Sequence, residues 1–452
     1  MLVRAQTPRG TMTSPNTEKK LGPFLAALVV ANAMMGSGIY LLPAGLGAVG
    51  SISILSWVAA TLGASLIAGV FAWLAILKPG NASLFEHVRS AFGPSAGFLS
   101  AALYWASTWV ATVAVSTAVV GYLSVFVPWV AKPPGATLTS VAAIWLLIGA
   151  NLIGPKFVAR IAGWTLAIGL IPILIVAFGG WFVFDSHTFL ASWNVTGKSP
   201  FTVVPHTTVF VFWAFLGIES ASVISLRVRN PARDVPIGTF GGLIVAAIIY
   251  MAASAAIMGI LPAATLAKSN APFADAVVPM LGAGVAGVIA LFALLKASGT
   301  LGTVVLMNAE TAESESLIGQ IMRKRKATGV SVATLIAMGV LMSLVSIASA
   351  SPTLARQFVM VANMSVLLCV AAYGAASLAL LRLSGAAPEK SRLLVRAIAI
   401  CAAAFCVWLI ASTDIVLLAL AAAAVVVALV AYPLVRMRKS KIAAAAAGSS
   451  TV

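Results

Sequence analysis

The chain has 452 residues, 61% of them hydrophobic and 9% charged, with a mean hydropathy of +1.06. A soluble domain carries about 25% charged residues, so this chain lacks the polar surface to cover a water-exposed globule, and a lipid bilayer becomes the expected solvent. The net charge of +17 would suit nucleic acid if the basic residues shared one face of a folded module. They fall instead at the ends of apolar runs, which argues against that partner and follows the retention of basic loops in the cytoplasm.

Residues 1–21 are polar and basic and read as a cytoplasmic tail. No cleaved leader is expected, because this tail runs into an apolar segment that carries Gly36-Ser37-Gly38 rather than a small-residue cleavage site. A membrane-crossing helix needs about 20 consecutive apolar residues. Twelve such runs start near Pro23, Ile52, Gly97, Thr137, Val158, Thr207, Val235, Val278, Val330, Gln357, Leu393 and Ile415. The loops that follow even-numbered runs, together with the two tails, hold 23 of the 28 basic residues, whereas the opposite loops hold Lys132, Lys198, Lys268 and Arg356. Both termini are therefore expected in the cytoplasm of a cell carrying this chain in its inner membrane. Residues 22–436 form one transmembrane domain, and 437–452 form a cytoplasmic tail whose Ala-, Gly- and Ser-rich end from Ile442 is expected to be disordered. Cys369, Cys401 and Cys406 lie in apolar segments without metal-ligand spacing and read as small core residues.

Two spans carry signs of a break. In the first, Gly36-Ser37-Gly38 sits in mid-membrane, where glycine and serine are poor helix formers. Unwound backbone there is tolerated where it lines a cavity, and the amides so exposed suit an anion such as a carboxylate. Close packing of small residues against a neighbouring helix is the alternative. In the sixth, Trp213-Ala214-Phe215-Leu216-Gly217-Ile218-Glu219-Ser220 places one carboxylate, Glu219, deep inside a span. An intramembrane carboxylate marks a pathway or proton relay by default, the alternative being a structural acid bonded to backbone. The two breaks lie five spans apart, the separation expected of inverted repeats at about 22–184 and 207–381, with two further helices at about 393–436.

Several stretches together resemble a known family. They are Met35 to Pro43, Leu103-Tyr104-Trp105, Asn151 to Lys156, Gly217 to Ser222, and Asn230 to Pro236. The chain is similar to the basic amino acid/polyamine antiporters of the amino acid-polyamine-organocation superfamily, with the likeness greatest to its arginine/agmatine branch. The resemblance implies an all-α membrane protein of twelve helices, a 5+5 inverted repeat with broken helices 1 and 6 plus two peripheral helices, alternating access, and often a homodimer. It also implies secondary transport of amino acids or related amines by exchange or with a proton. Ser37, Gly38 and Ile39 would hold the substrate carboxylate, and Trp213, Ala214 and Gly217 would flank its amino group. Trp213 would stack on a cation or else serve as packing, Glu219 would be the proton-sensing or gating acid, and Tyr104 an outer-gate aromatic.

Some positions depart from that pattern. Thr112 stands for an asparagine, Ala214 for a serine and Val304 for a tryptophan, and Ser107-Thr108 replaces a small-residue and cysteine pair. These changes weaken the grip on a guanidinium. Lys296 lies mid-span in the eighth run, where an ammonium must face the bundle interior or snorkel to the interface. It could replace a sodium ion, cycle a proton, or counter an acidic substrate, and the last reading keeps a carrier for an organic anion or acidic or neutral amino acid as the alternative function. No cofactor, metal or catalytic residue is expected. No nucleotide-binding motif is present, His87, His187 and His206 fall in or near loops, and no HExxH pair or nucleophile with a base at readable spacing occurs.

Overall fold

A computed structural model describes residues 22–78, 83–220, 228, 230–314 and 330–448. In chain order the helices are α1 Pro23–Met34, α2 Leu42–Gly47, α3 Ser53–Leu77, α4 Leu84–Phe92, α5 Pro94–Leu123 and α6 Gly135–Ile153. They continue with α7 Pro155–Leu174, α8 Ser186–Ala191, α9 Pro200–Phe212, α10 Pro231–Ile260, α11 Ala263–Leu266 and α12 Pro272–Leu281. The last five are α13 Ala283–Ser314, α14 Val332–Ala348, α15 Leu354–Leu383, α16 Glu389–Ala411 and α17 Ile415–Gly448. Among the described residues, nine helices are long and apolar enough to cross a membrane, or ten if Pro23–Met34 and Gly38–Gly47, bent by 57°, form one span. Pro200–Phe215 and Val332–Ala348 are apolar but shorter. The protein is thus an all-helical, multi-pass membrane protein.

Most expected runs begin within a few residues of an observed helix start. The eighth differs: Val278 belongs to α12, which stops at Gly282 with φ +86°, and the long spanning helix starts afresh at Ala283. A left-handed glycine ends a helix that apolar content alone would have continued. The C-terminal end also differs from expectation, because α17 runs on to Gly448. Alanine is the strongest helix former, so an alanine run extends a helix already nucleated within the membrane. Residues 1–21 lie outside those described.

Small residues set how closely the helices pack. A Cβ on Gly238 would lie 2.7 Å from the Ala26 side chain, and one on Gly242 would lie 2.6 Å from the Ala27 carbonyl oxygen. This four-residue spacing seats α1 directly on α10, as lipid-embedded helices require when apolar burial gives no advantage over lipid. Helices α7 and α13 lock by exchange of notches. The Lys296 stem fills the space above Gly169, Thr165 fills that above Gly299, and Val158 that above Gly302. At the periphery α16 and α17 face lipid along most of their length. Cys401 points outward there, in contrast to the expected core position, while Cys369 and Cys406 are buried.

Candidate functional site

Helix α1 stops at Met34, after which the Met35 and Gly36 amides bond back to the Ala31 and Met34 carbonyls. Gly36 is extended (φ −68°, ψ −172°), and the chain restarts as a 3-10 turn over Ser37–Tyr40. The first amides of a restarted helix have no partner within it. Helix α9 ends similarly: one 3-10 turn over Trp213–Phe215, an extended Leu216, then Gly217 at φ +104°. Only glycine adopts that conformation without strain. The two breaks press against each other. A Cβ on Gly38 would fall 2.0 Å from the Trp213 indole nitrogen, and one on Gly217 would fall 2.8 Å from the Ala33 carbonyl oxygen.

Between the breaks and helices α5, α13 and α15 lies a cavity of about 170 Å³. Of the residues expected at the site, Gly38, Ile39, Tyr104, Ser107, Thr108, Trp213, Ala214, Gly217, Glu219 and Val304 line it. Trp213 faces the cavity and is 7% exposed, so it does not look out onto lipid. The side chain of Ser37 lies outside the described residues. Thr112 is not on the cavity wall: its hydroxyl accepts from Asn308 Nδ2 at 2.8 Å and donates to the Thr108 carbonyl at 2.9 Å, which staples α5 to α13. Lys296 is likewise off the wall, 4% exposed between α13 and α7, and no carboxylate among the described residues pairs with it.

Glu219 is held from three directions. Its Oε1 accepts from the Tyr104 hydroxyl at 2.6 Å, and its Oε2 accepts from the Tyr373 hydroxyl and from the Gly217 amide at 3.1 Å. The carboxylate therefore closes the turn that breaks the sixth span and ties it to α5 and α15. Hydrogen bonds to a charged acceptor are the strong ones in a low-dielectric interior. The opposite wall is built from hydroxyls. Ser107 donates to the Tyr104 carbonyl at 2.7 Å, Thr108 to the Trp105 carbonyl at 2.8 Å, and Ser365 to the Ser107 carbonyl at 2.9 Å. With its one proton committed to backbone, each hydroxyl offers a ligand only lone pairs.

The polar wall residues Thr300, Ser365 and Cys369 were not anticipated, nor was Tyr373, which is off the wall, as a partner of Glu219. Ser365, Cys369 and Tyr373 recur every four residues along α15, so they share one face of an otherwise apolar helix. That stripe was the available signal.

An aromatic cluster off the cavity wall follows Ile39. Beyond Ile39, Tyr40 meets Tyr122 and Phe273 edge-on at centroid distances of 5.4 and 5.6 Å. The Tyr122 hydroxyl donates to the Tyr40 carbonyl at 3.1 Å, and the Tyr40 hydroxyl donates to the Gly169 carbonyl. Histidines take no part in the cavity wall. His87 is fully buried on α4, while His187 and His206 lie on α8 and α9 rather than in loops.

The sequence pattern of the amino acid permease family matches residues 21–443. The cadaverine/lysine antiporter of Escherichia coli (strain K12) is 34% identical over 292 residues, 65% of this chain and 66% of that protein's length. The putrescine transporter PotE of Haemophilus influenzae is 30% identical over 378 residues, covering 82% of this chain and 87% of its own, and PotE of Escherichia coli (strain K12) is 29% identical over 357 residues, 78% and 81%. A match over nearly the whole chain, on a helical membrane protein with these two paired breaks, makes the chain a member of the amino acid permease family, within its basic amino acid/polyamine antiporter group.

Proposed function

We propose that the chain is a secondary carrier that exchanges amino acids and related amines by alternating access around this cavity. The observation that carries this reading is a group of three wall hydroxyls left with lone pairs only, beside a carboxylate. Ser107, Thr108 and Ser365 have spent their protons on backbone, and Glu219 adds a carboxylate. A ligand that meets these four groups brings hydrogen-bond donors, which an ammonium does and a carboxylate does not. Donors occur at the opposite side, where the first helix restarts over Ser37, Gly38 and Ile39, and they suit a single carboxylate. Trp213 beside Gly38 offers its ring to the cation.

A basic amino acid meets both sides, and its decarboxylated diamine meets the acceptor side alone. The relatives named for lysine, cadaverine and putrescine support the same class. Ala214 and Val304 line the cavity without polar atoms, which suits an alkyl chain ending in an ammonium better than a planar guanidinium. The position of Lys296 off the wall removes the support for a countercharge to an acidic substrate.

The same proposal includes twelve spans arranged as two five-span inverted repeats plus α16 and α17, with both termini cytoplasmic in the inner membrane. Tyr104 then belongs to the inner rather than the outer end of the pathway, because α4, which it touches, follows the second span and lies on the side of the termini. A homodimer, which the family resemblance implies, has uncovered apolar surface on α16 and α17 to use.

Counterflow into proteoliposomes tests the substrate class. Preloading with lysine, cadaverine, ornithine or putrescine should drive uptake of labelled lysine or putrescine, and arginine or agmatine should do so less well. Glutamate should have no effect. Stimulation by glutamate with none by any cation would overturn the reading.

A further inference from the structure

We propose that α4 is a wedge that holds the Glu219 end of the cavity shut, and that Phe85 is the residue through which it acts. The inference rests on the cavity being the substrate pathway, and it concerns a helix outside that cavity.

Helix α4 is a single amphipathic stretch, Leu84–Phe92, that buries Leu84, Phe85, His87, Val88 and Ala91. Ser83 caps it by accepting the Phe85 amide at 3.3 Å, which fixes where the first turn begins. It packs against α5 and α15, the two helices that supply the tyrosines bonded to Glu219. Near its start the Phe85 ring lies 5.4 Å from the Tyr104 ring. At its end the Arg382 guanidinium of α15 sits 5.4 Å from the centre of the Phe92 ring. The helix thus grips both walls at once, and Phe85 stands directly behind the ring whose hydroxyl reaches Glu219.

The geometry makes Phe85 a positioning residue. Tyr104 has one bond to Glu219, made from a helix that must separate from α15 if the cavity is to open on this side. The Phe85 ring, tilted 57° against the tyrosine, keeps its hydroxyl aimed at the carboxylate. When α4 moves away, that aim is lost and the bond fails. Edge and face contacts between rings carry energy beyond their buried area, so an aliphatic side chain of similar bulk fills the space without replacing the contact.

The Cys369 thiol on the cavity wall reports the closure without any substrate. With Cys401 and Cys406 replaced by alanine, a membrane-impermeant methanethiosulfonate is applied to vesicles of either orientation. Phe85→Leu should speed labelling of Cys369 about fivefold from the face bearing α4, the population shift expected when one aromatic pair is lost. Labelling from the opposite face should not change, and Phe85→Tyr, which keeps the ring, should behave as the parent. The proposal fails if Phe85→Leu labels at the parent rate, if both faces speed up alike, or if Phe85→Tyr speeds labelling as much. Should Phe85→Leu not yield folded protein, Ser83→Ala loosens the same helix by its cap, and labelling unchanged from the α4 face would equally overturn the wedge. Because no substrate is present, a chain that failed to exchange amines would still answer this question.

Discussion

Tyrosines lie on two sides of the cavity, Tyr104 and Tyr373 at Glu219 and Tyr40 and Tyr122 beyond Ile39, but their hydroxyls have different partners. At the far end Tyr40 and Tyr122 donate to backbone carbonyls, of Gly169 and of Tyr40 itself. At the Glu219 end Tyr104 and Tyr373 donate to a carboxylate. A backbone carbonyl has no alternative state, so the far end parts only when whole helices move. A carboxylate can take a proton or be claimed by an ammonium, and either event weakens what holds the tyrosines. On the proposed function, the end that bears Glu219 is the one that a ligand or a proton would unlock.

The sharpest way to break this contrast is Glu219→Gln. It removes the charge from an acceptor bonded to two hydroxyls and an amide, and bonds to charged groups contribute about 1.5–3 kcal/mol each. Initial exchange rates in proteoliposomes should fall by about 100-fold, while the purified protein keeps its chromatographic behaviour. An unchanged rate would show that the carboxylate is only a strut.

Tyr373→Phe should lower the same rate about tenfold, on the order of one charge-assisted bond. Tyr40→Phe, its counterpart at the far end, should change exchange by no more than about fivefold, because a neutral bond to backbone contributes about 1 kcal/mol. Equal losses in the two variants would erase the distinction between the ends.

The notch near Tyr40 makes a further test. Gly169→Ala places a methyl where the Lys296 stem already lies, with contacts of 2.4 Å, and overpacking of this kind costs about 1–3 kcal/mol. Thermal unfolding in detergent should fall accordingly and recover when Lys296→Ala is added, a coupling that independent sites do not show. Lys296→Met alone should leave the order of preference among lysine, putrescine and glutamate as it was, since the lysine is off the cavity wall.

The smallest effect is expected from Thr112→Val. Its hydroxyl bonds Asn308 and the Thr108 carbonyl rather than the cavity. Stability should drop by about 1 kcal/mol, with the concentration dependence of uptake unchanged. A shifted KM would return Thr112 to the binding site.

Much of this protein was legible in its sequence because lipid leaves few choices. Length and apolarity place the spans, and two glycines in mid-membrane with one carboxylate beside a third mark the breaks. Every cavity-lining glycine at the two breaks, together with Glu219, follows from such local signals, whereas Tyr104 and Trp213 came from the family resemblance. Lys296 was drawn into the site by its polarity within an apolar helix, and Thr112 by standing where the resembled family has an asparagine. Polarity in lipid demands a partner or an interior position, but it does not say which side of the helix that is.

Composition, charge distribution and the spacing of breaks by themselves determined that the chain crosses a membrane many times and unwinds at two places, since backbone and charge cannot be left unsatisfied in hydrocarbon. Only the tertiary structure decided which hydroxyls spend their protons on backbone, that Tyr373 completes the hold on Glu219, and that Lys296 rests against Gly169. Those outcomes depend on the rotation of each helix about its axis and on contacts between residues more than a hundred positions apart. No local pattern in the chain records them.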